Sequence, residues 1–201
     1  ENLGDIELNV PGEHNVLNSL AAVVVGLEMG LNFSIIKNGL KSYNGVRRRF
    51  EIKNTNEEVM VVDDYAHHPS EIKATLAAAK KGWNKRIIAV FQPHLYSRTK
   101  AFYKEFADAL SGADYIIITE IYPAREEKIP GITSGLIYNQ CLEIGQNKCK
   151  YIKDLDNLST FLDKIVKPND MILTMGAGNI WRYSDYYADH ILSNKIGVKV
   201  G

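Results

Sequence analysis

Two short stretches hold the residues best suited to chemistry: Asp63-Asp64-Tyr65-Ala66-His67-His68-Pro69 and Phe91-Gln92-Pro93-His94-Leu95-Tyr96-Ser97-Arg98-Thr99. Three of the five histidines fall in them, a concentration that scattered core histidines would not give. Carboxylates beside imidazoles have two readings. They suit zinc, manganese or iron, although neighbours on an extended segment point apart rather than converge. Alternatively, a carboxylate holds ribose hydroxyls and a histidine orients a substrate, while one Asp of the group caps a turn. In the second stretch His94 and Arg98 lie four apart where a strand end turns into a helix. Ser97 or Thr99 can cap that helix, and its N-terminus beside Arg98 suits a carboxylate or phosphate. The plainer alternative is a capped helix with an exposed Arg.

Other candidates are weaker. Asn15 and Asn18, three apart, share one face of a helix near its start; the amide pair can match the edge of adenine, or simply cap the helix and meet water. Arg47-Arg48-Arg49 sits at a turn-to-strand junction, where alternation separates Arg48 from the other two. One guanidinium could clamp a phosphate, or the triplet is a solvated boundary. Gly176-Ala177-Gly178 lacks the third glycine of a dinucleotide fingerprint and reads better as a tight strand-to-helix turn. Trp181 and Tyr186-Tyr187 read as packing aromatics.

Both stretches follow apolar runs that look like buried strands, Val59–Val62 and Ile87–Val90. Residues beyond the carboxyl ends of such strands are where open α/β sheets bind ligands. The spacing predicts helices near 17–27 (stopped by Gly30) and Ser34–Leu40 (capped by Asn32 or Ser34), then a turn at Tyr43-Asn44-Gly45. A hairpin follows, Phe50-Glu51-Ile52 and 59–62 joined at Asn54-Thr55-Asn56. Next come helix 70–81, strand 86–91, helix 99–110, strand 115–119 and a loop through Tyr122-Pro123-Ala124 to Gly131. Helix 133–144, strand 149–152, helix 155–165, strand 171–174 and helix 180–193 complete the pattern. Strands alternating with helices predict the α/β class, with a mainly parallel sheet and helices on both faces. Ile6, Leu8 and Val10 alternate like a strand in want of a partner sheet, and the first two helices are apolar enough to need a surface these residues do not contain.

Charge balances at 24 basic against 24 acidic residues, and the Arg triplet is the one basic cluster. That argues against nucleic acid or an anionic membrane as partner. Cys141 and Cys149 have neither metal-ligand spacing nor a disulfide framework, which predicts a reducing, cytoplasmic setting. No apolar run approaches a membrane span, so a soluble protein is expected.

Taken in order, six motifs resemble the Mur ligase family, the ATP-dependent enzymes that build the peptide of peptidoglycan. They are Pro-Gly-Glu-His-Asn-x-x-Asn-x-x-Ala-Ala (11–22), Gly-Val-x-Arg-Arg-Phe-Glu (45–51), Asp-Asp-Tyr-Ala-His-His-Pro-x-Glu (63–71), Phe-Gln-Pro-His-x-Tyr-Ser-Arg-Thr (91–99), Tyr-Pro-Ala (122–124) and Gly-Ala-Gly (176–178). The Phe-Gln-Pro-His loop is similar to the branch that adds L-alanine, rather than to the muropeptide-recycling branch. The resemblance implies that residues 1–47 end a central ATP-binding domain and that 48–201 form a Rossmann-like C-terminal domain. The family's Gly-rich phosphate loop, magnesium ligands and UDP-binding domain do not occur here, so a C-terminal portion of a ligase is expected. That portion would be inactive alone, with the remaining domains as its partners. The implied reaction joins L-alanine to UDP-N-acetylmuramate through an acyl phosphate made with ATP, magnesium being held outside these residues. By position, the resemblance implies Asn15 and Asn18 at adenine, Arg49 at the phosphates and Asp64 at the ribose, with His67, His94 and Arg98 around alanine and no metal ligand. Leu95 stands where many relatives have Arg, and Arg125 where Gly is common. The competing expectations are a metal-dependent hydrolase using the Asp/His loop and a non-catalytic nucleotide-binding module.

Overall fold

The computed structural model describes residues 2–55 and 58–194. Two helices come first, α1 (Glu13–Glu28) and α2 (Phe33–Ser42). Then follow β1 (Glu51–Thr55), β2 (Val59–Asp64), α3 (Pro69–Gly82), β3 (Arg86–Phe91), α4 (Tyr96–Leu110), β4 (Tyr115–Thr119), α5 (Gly135–Glu143), β5 (Cys149–Ile152), α6 (Leu158–Ile165), β6 (Asp170–Met175) and α7 (Ile180–Asn194). The six strands form one sheet in the order β1-β2-β6-β3-β4-β5, with only β1 antiparallel.

Why these runs become central strands follows from their composition. A parallel strand covered on both faces reads as a near-continuous apolar run, and β2 and β6 are buried throughout, with Asp63, Asp64, Asp170 and Thr174 as their polar positions. Alternation then divides the side chains. Met60, Val62, Ile87, Ala89, Phe91, Leu173 and Ile118 join α3, α4 and α5 in one core. Val59, Val61, Ile88, Val90, Ile117 and Ile172 join α6 and α7 in the other. The α/β fold with helices on both faces is as the pattern predicted.

Several boundaries moved. The hairpin turn is not at Asn54-Thr55, because both lie in β1; Asn56 is outside the described residues. Phe50 precedes β1 with φ +47, and Arg48 has φ +62, so a left-handed turn replaces the strand alternation expected of the Arg triplet. The stretch 155–157 is a single 3-10 turn before α6. Residues 2–12 form no strand. Ile6, Leu8 and Val10 instead lie along a groove against α1 and α3, with Glu7 paired to Lys41 at 2.7 Å.

The first two helices pack on each other through Gly26, where a Cβ would stand 2.8 Å from Ile36. α1 ends where Leu31 N–H bonds Gly26 C=O and Gly30 N–H bonds Leu27 C=O, with Gly30 at φ +77. This closure satisfies the last carbonyls. Asn32 caps α2, accepting from Ser34 N–H at 2.9 Å. The other side of α1 is bare: Leu17 is 64% and Val24 59% exposed. Among the described residues no helix is long and apolar enough to cross a membrane.

Candidate functional site

Register places the chemistry. Asp64 pairs with Met175, and Met175 with Phe91, so the last residues of β2, β6 and β3 lie in one row across the sheet. His67 and His94 each stand three residues beyond that row. Their strands are not neighbours, since β6 lies between them, and two strand spacings amount to about 9–10 Å. Yet their rings meet edge to face with centroids 6.2 Å apart. The loops therefore lean toward each other over the tip of β6.

That tip has to be small. A Cβ on Gly176, which has φ +147, would meet the Gln92 carbonyl oxygen at 2.6 Å, and one on Gly178 would meet Tyr122 Cγ at 2.6 Å. The glycines serve close approach of the β3 and β4 loops as well as a turn. Gln92 closes the arrangement. Its side-chain nitrogen donates to Asn179 at 2.8 Å and its oxygen accepts from Ile180 N–H at 3.1 Å, which ties the β3 loop to the start of α7.

His67 is half-buried, with Nδ1 3.0 Å from Tyr65 C=O and 3.2 Å from Glu71. Glu71 also accepts the N–H groups of His67 (2.9 Å) and His68 (3.1 Å), so this carboxylate caps α3 and fixes the loop. Burial pushes the Glu71 carboxyl up, but the His67 N–H and ring and the His68 N–H outweigh it and leave the carboxyl below the usual range. His94 stacks on Tyr122 at 5.8 Å between centroids. The backbones of the two loops pair alongside, Leu95 N–H to Tyr122 C=O and Tyr122 N–H to Pro93 C=O. Two polar atoms here are buried without a hydrogen-bond partner, His94 Nδ1 and Arg98 Nη1. Burial, then the positive charge of Arg98, then His67, lower the His94 pKa and keep its imidazole neutral near pH 7. The site thus presents an unanswered guanidinium N–H and an unanswered imidazole nitrogen, an arrangement suited to a carboxylate.

The capping expected of Ser97 or Thr99 is absent. α4 begins three residues earlier than predicted, at Tyr96, which puts Arg98 in its first turn rather than in the loop. Leu95 is the N-cap, with φ +73 and no acceptor. The Thr99 hydroxyl donates back to Leu95 C=O, and both Ser97 donors go to Glu126.

The other four candidates share a separate cleft of about 440 Å³, lined by Asn15, Asn18, Arg49, Asp64, Glu71 and Thr75 among others. Asn15 donates its amide N–H to Pro11 C=O at 2.7 Å, which leaves its oxygen for a ligand. Asp64 accepts from Phe50 N–H (2.9 Å) and Ala66 N–H (2.8 Å), and burial raises its carboxyl above the usual range. Arg49 lies over Tyr65 at 5.4 Å. Arg48, by contrast, is structural: it bonds Asp63 at 3.1 Å and Gly176 C=O at 2.5 Å, tying the β1 approach to the tips of β2 and β6. Asp63 is fully buried and also takes the Thr174 hydroxyl at 2.7 Å. Both acidic side chains of the Asp/His loop are thus hydrogen-bonded within the protein, and among the described residues no group of three or more His, Cys, Asp or Glu is gathered as a metal-ion site. Sequence reasoning assigned no role to Arg48, Gln92, Tyr122 or Glu126, whose partners are 15 to 128 residues away.

The sequence profile of the Mur ligase glutamate ligase domain matches residues 48–178. UDP-N-acetylmuramate–L-alanine ligase of Geotalea uraniireducens is 48% identical over 183 residues, which cover 91% of this chain and 40% of the relative. The crystal structure of UDP-N-acetylmuramate-alanine ligase from Thermotoga maritima superposes with a TM-score of 0.78 at 31% identity, covering 94% of this chain and 40% of that one. Murein peptide ligase from Psychrobacter arcticus shares the fold, with a TM-score of 0.64 at 24% identity and coverage of 98% and 39%. The chain thus spans about two fifths of the length of the curated relatives it matches. The matched span, residues 48–178, takes in well over half of these residues and leads to one assignment: the chain belongs to the Mur ligase family.

Proposed function

We propose that this chain is the C-terminal portion of an ATP-dependent ligase that joins L-alanine to UDP-N-acetylmuramate in peptidoglycan precursor synthesis, with residues 1–47 ending a central ATP-binding domain and 48–201 forming the domain that presents the amino acid. The observation that carries the reading is the pair of buried, unpartnered atoms His94 Nδ1 and Arg98 Nη1 beside His67. An L-alanine carboxylate supplies both with a charge-assisted partner, while the neutral His94 ring leaves Arg98 as the cation. The cleft of Asn15, Asn18, Arg49 and Asp64 takes the nucleotide: amides at adenine, Asp64 at a ribose hydroxyl, Arg49 at the phosphates. Longer relatives, of which this chain matches about two fifths, bear the name of the alanine-adding ligase, and a more distant structure of the same fold was solved with ADP.

In this reading ATP phosphorylates the lactyl carboxylate, the alanine amine attacks the acyl phosphate, and the tetrahedral intermediate expels phosphate. Activation supplies the leaving group, so these residues contribute orientation: fixing the carboxylate at Arg98 and His94 points the amine away from them, toward the acyl carbon. Residues outside these 201 would hold the magnesium, which would supply charge neutralisation at the ATP phosphates. The test is ligation of L-alanine, followed as phosphate release with UDP-N-acetylmuramate and ATP. The complete protein should turn over and these 201 residues alone should not. Robust ligation by the 201 residues, or none by the complete protein, rejects the reading.

A further inference from the structure

Glu126 stands at the edge of the same site, in the loop between β4 and α5. Its two oxygens accept from Ser97, one from the N–H at 3.0 Å and one from the hydroxyl. A turn closed by Glu126 N–H to Pro123 C=O, with Ala124 at φ +50, aims the side chain at the start of α4. That start has no acceptor of its own, because Leu95 is the N-cap. A long-range carboxylate therefore does the work of a local cap. The Ser97 hydrogen bonds hold it below the usual carboxylate range, so it is charged at neutral pH, and it interacts electrostatically with His94.

The consequence concerns charge. His67, His94, Arg98 and the N–H groups at the start of α4 make a donor-rich surface that could accept two carboxylates. Arg98 Nη1 and His94 Nδ1 are buried without a hydrogen-bond partner, whereas the Ser97 N–H at the helix start is already answered by Glu126. Resting on the reading of Arg98 and His94 as the clamp for the amino acid's carboxylate, we propose that Glu126 sets the charge selectivity of the site, admitting amino acids with a neutral side chain and rejecting those with an acidic one. A second carboxylate on the substrate would meet a fixed negative charge where a helix start would otherwise attract it.

The test compares kcat/KM for L-aspartate with that for L-alanine in the complete protein, as wild type, Glu126→Gln and Glu126→Ala. Glutamine keeps an acceptor and a donor for Ser97 but loses the charge; alanine vacates the place. The aspartate-to-alanine ratio should rise about fivefold or more in Glu126→Gln and further in Glu126→Ala. An unchanged ratio in both variants, with both amino acids losing equally, overturns the proposal and leaves Glu126 a structural tie. A rise in Glu126→Ala alone also overturns it, because the tie rather than the charge would then be acting. Wild-type protein that fails to ligate L-alanine rejects the clamp reading itself, and this inference falls with it.

Discussion

Arg98 and His94 form a coupled pair, and their chemistry is open to direct measurement. Arg98→Ala should raise the KM for L-alanine by about tenfold or more while changing that for ATP little, since a charge-assisted hydrogen bond contributes about 1.5–3 kcal/mol. Equal effects on both substrates would remove Arg98 from the amino-acid site. The pH profile gives a second readout. His94 has a lowered pKa, so its neutral form persists until the pH falls through that depressed value. Alanine kcat/KM should therefore change on the acid side, below the usual histidine range, as a second positive charge appears beside the carboxylate. Arg98→Ala removes one cause of the depression and should move that limb to higher pH, whereas Arg98→Lys should leave it near its wild-type place. A limb unmoved by Arg98→Ala would show that His94 does not titrate in that profile. At this scale the motifs were informative: His67, His94 and Arg98 were singled out by type and spacing, and the fold brings the two loops that carry them together. Their tethers were less legible: Tyr122 stood in a motif without a role attached, and Glu126 acts from a loop position that no motif marked.

Among the elements, the β6–α7 connection sets the geometry of the site. Gly178→Ala should destabilise the protein by about 1–3 kcal/mol through overpacking against Tyr122. It should also raise the KM for alanine, because Tyr122 is the ring on which His94 stacks. A variant with unchanged melting temperature and unchanged KM would show that the tip tolerates a methyl group. The sequence located β3, β4 and β5 at 86–91, 115–119 and 149–152, the bounds that the structure has. Buried parallel strands are short apolar runs between turn residues, and that signal is local. The start of α4 was misplaced for the opposite reason: its cap comes from Glu126, 29 residues away, so Leu95 gives no sign of it. Strand order was equally hidden. Nothing local announces that β6 inserts between β2 and β3.

For the whole molecule, the bare side of α1 is the largest unmet demand. Leu17, Leu20, Val24 and Val25 are all more than half exposed, and in the proposed ligase the rest of the central domain covers them. Leu17→Glu should make these 201 residues less prone to self-associate, as read by light scattering, yet destabilise the complete protein by about 2–5 kcal/mol, the range for losing a buried leucine. A complete protein indifferent to the change would put this face in water and remove the domain reading. The position of β6 has a different consequence, one for biosynthesis. Of the strands in this sheet it comes last in sequence, yet it lies inside the sheet between β2 and β3. Until it arrives, β2 and β3 have no shared neighbour and their loops have nothing to lean across. A nascent chain ending before Asp170 carries both histidine loops but no assembled site, so binding competence waits for β6, through contacts distant in sequence that form slowly.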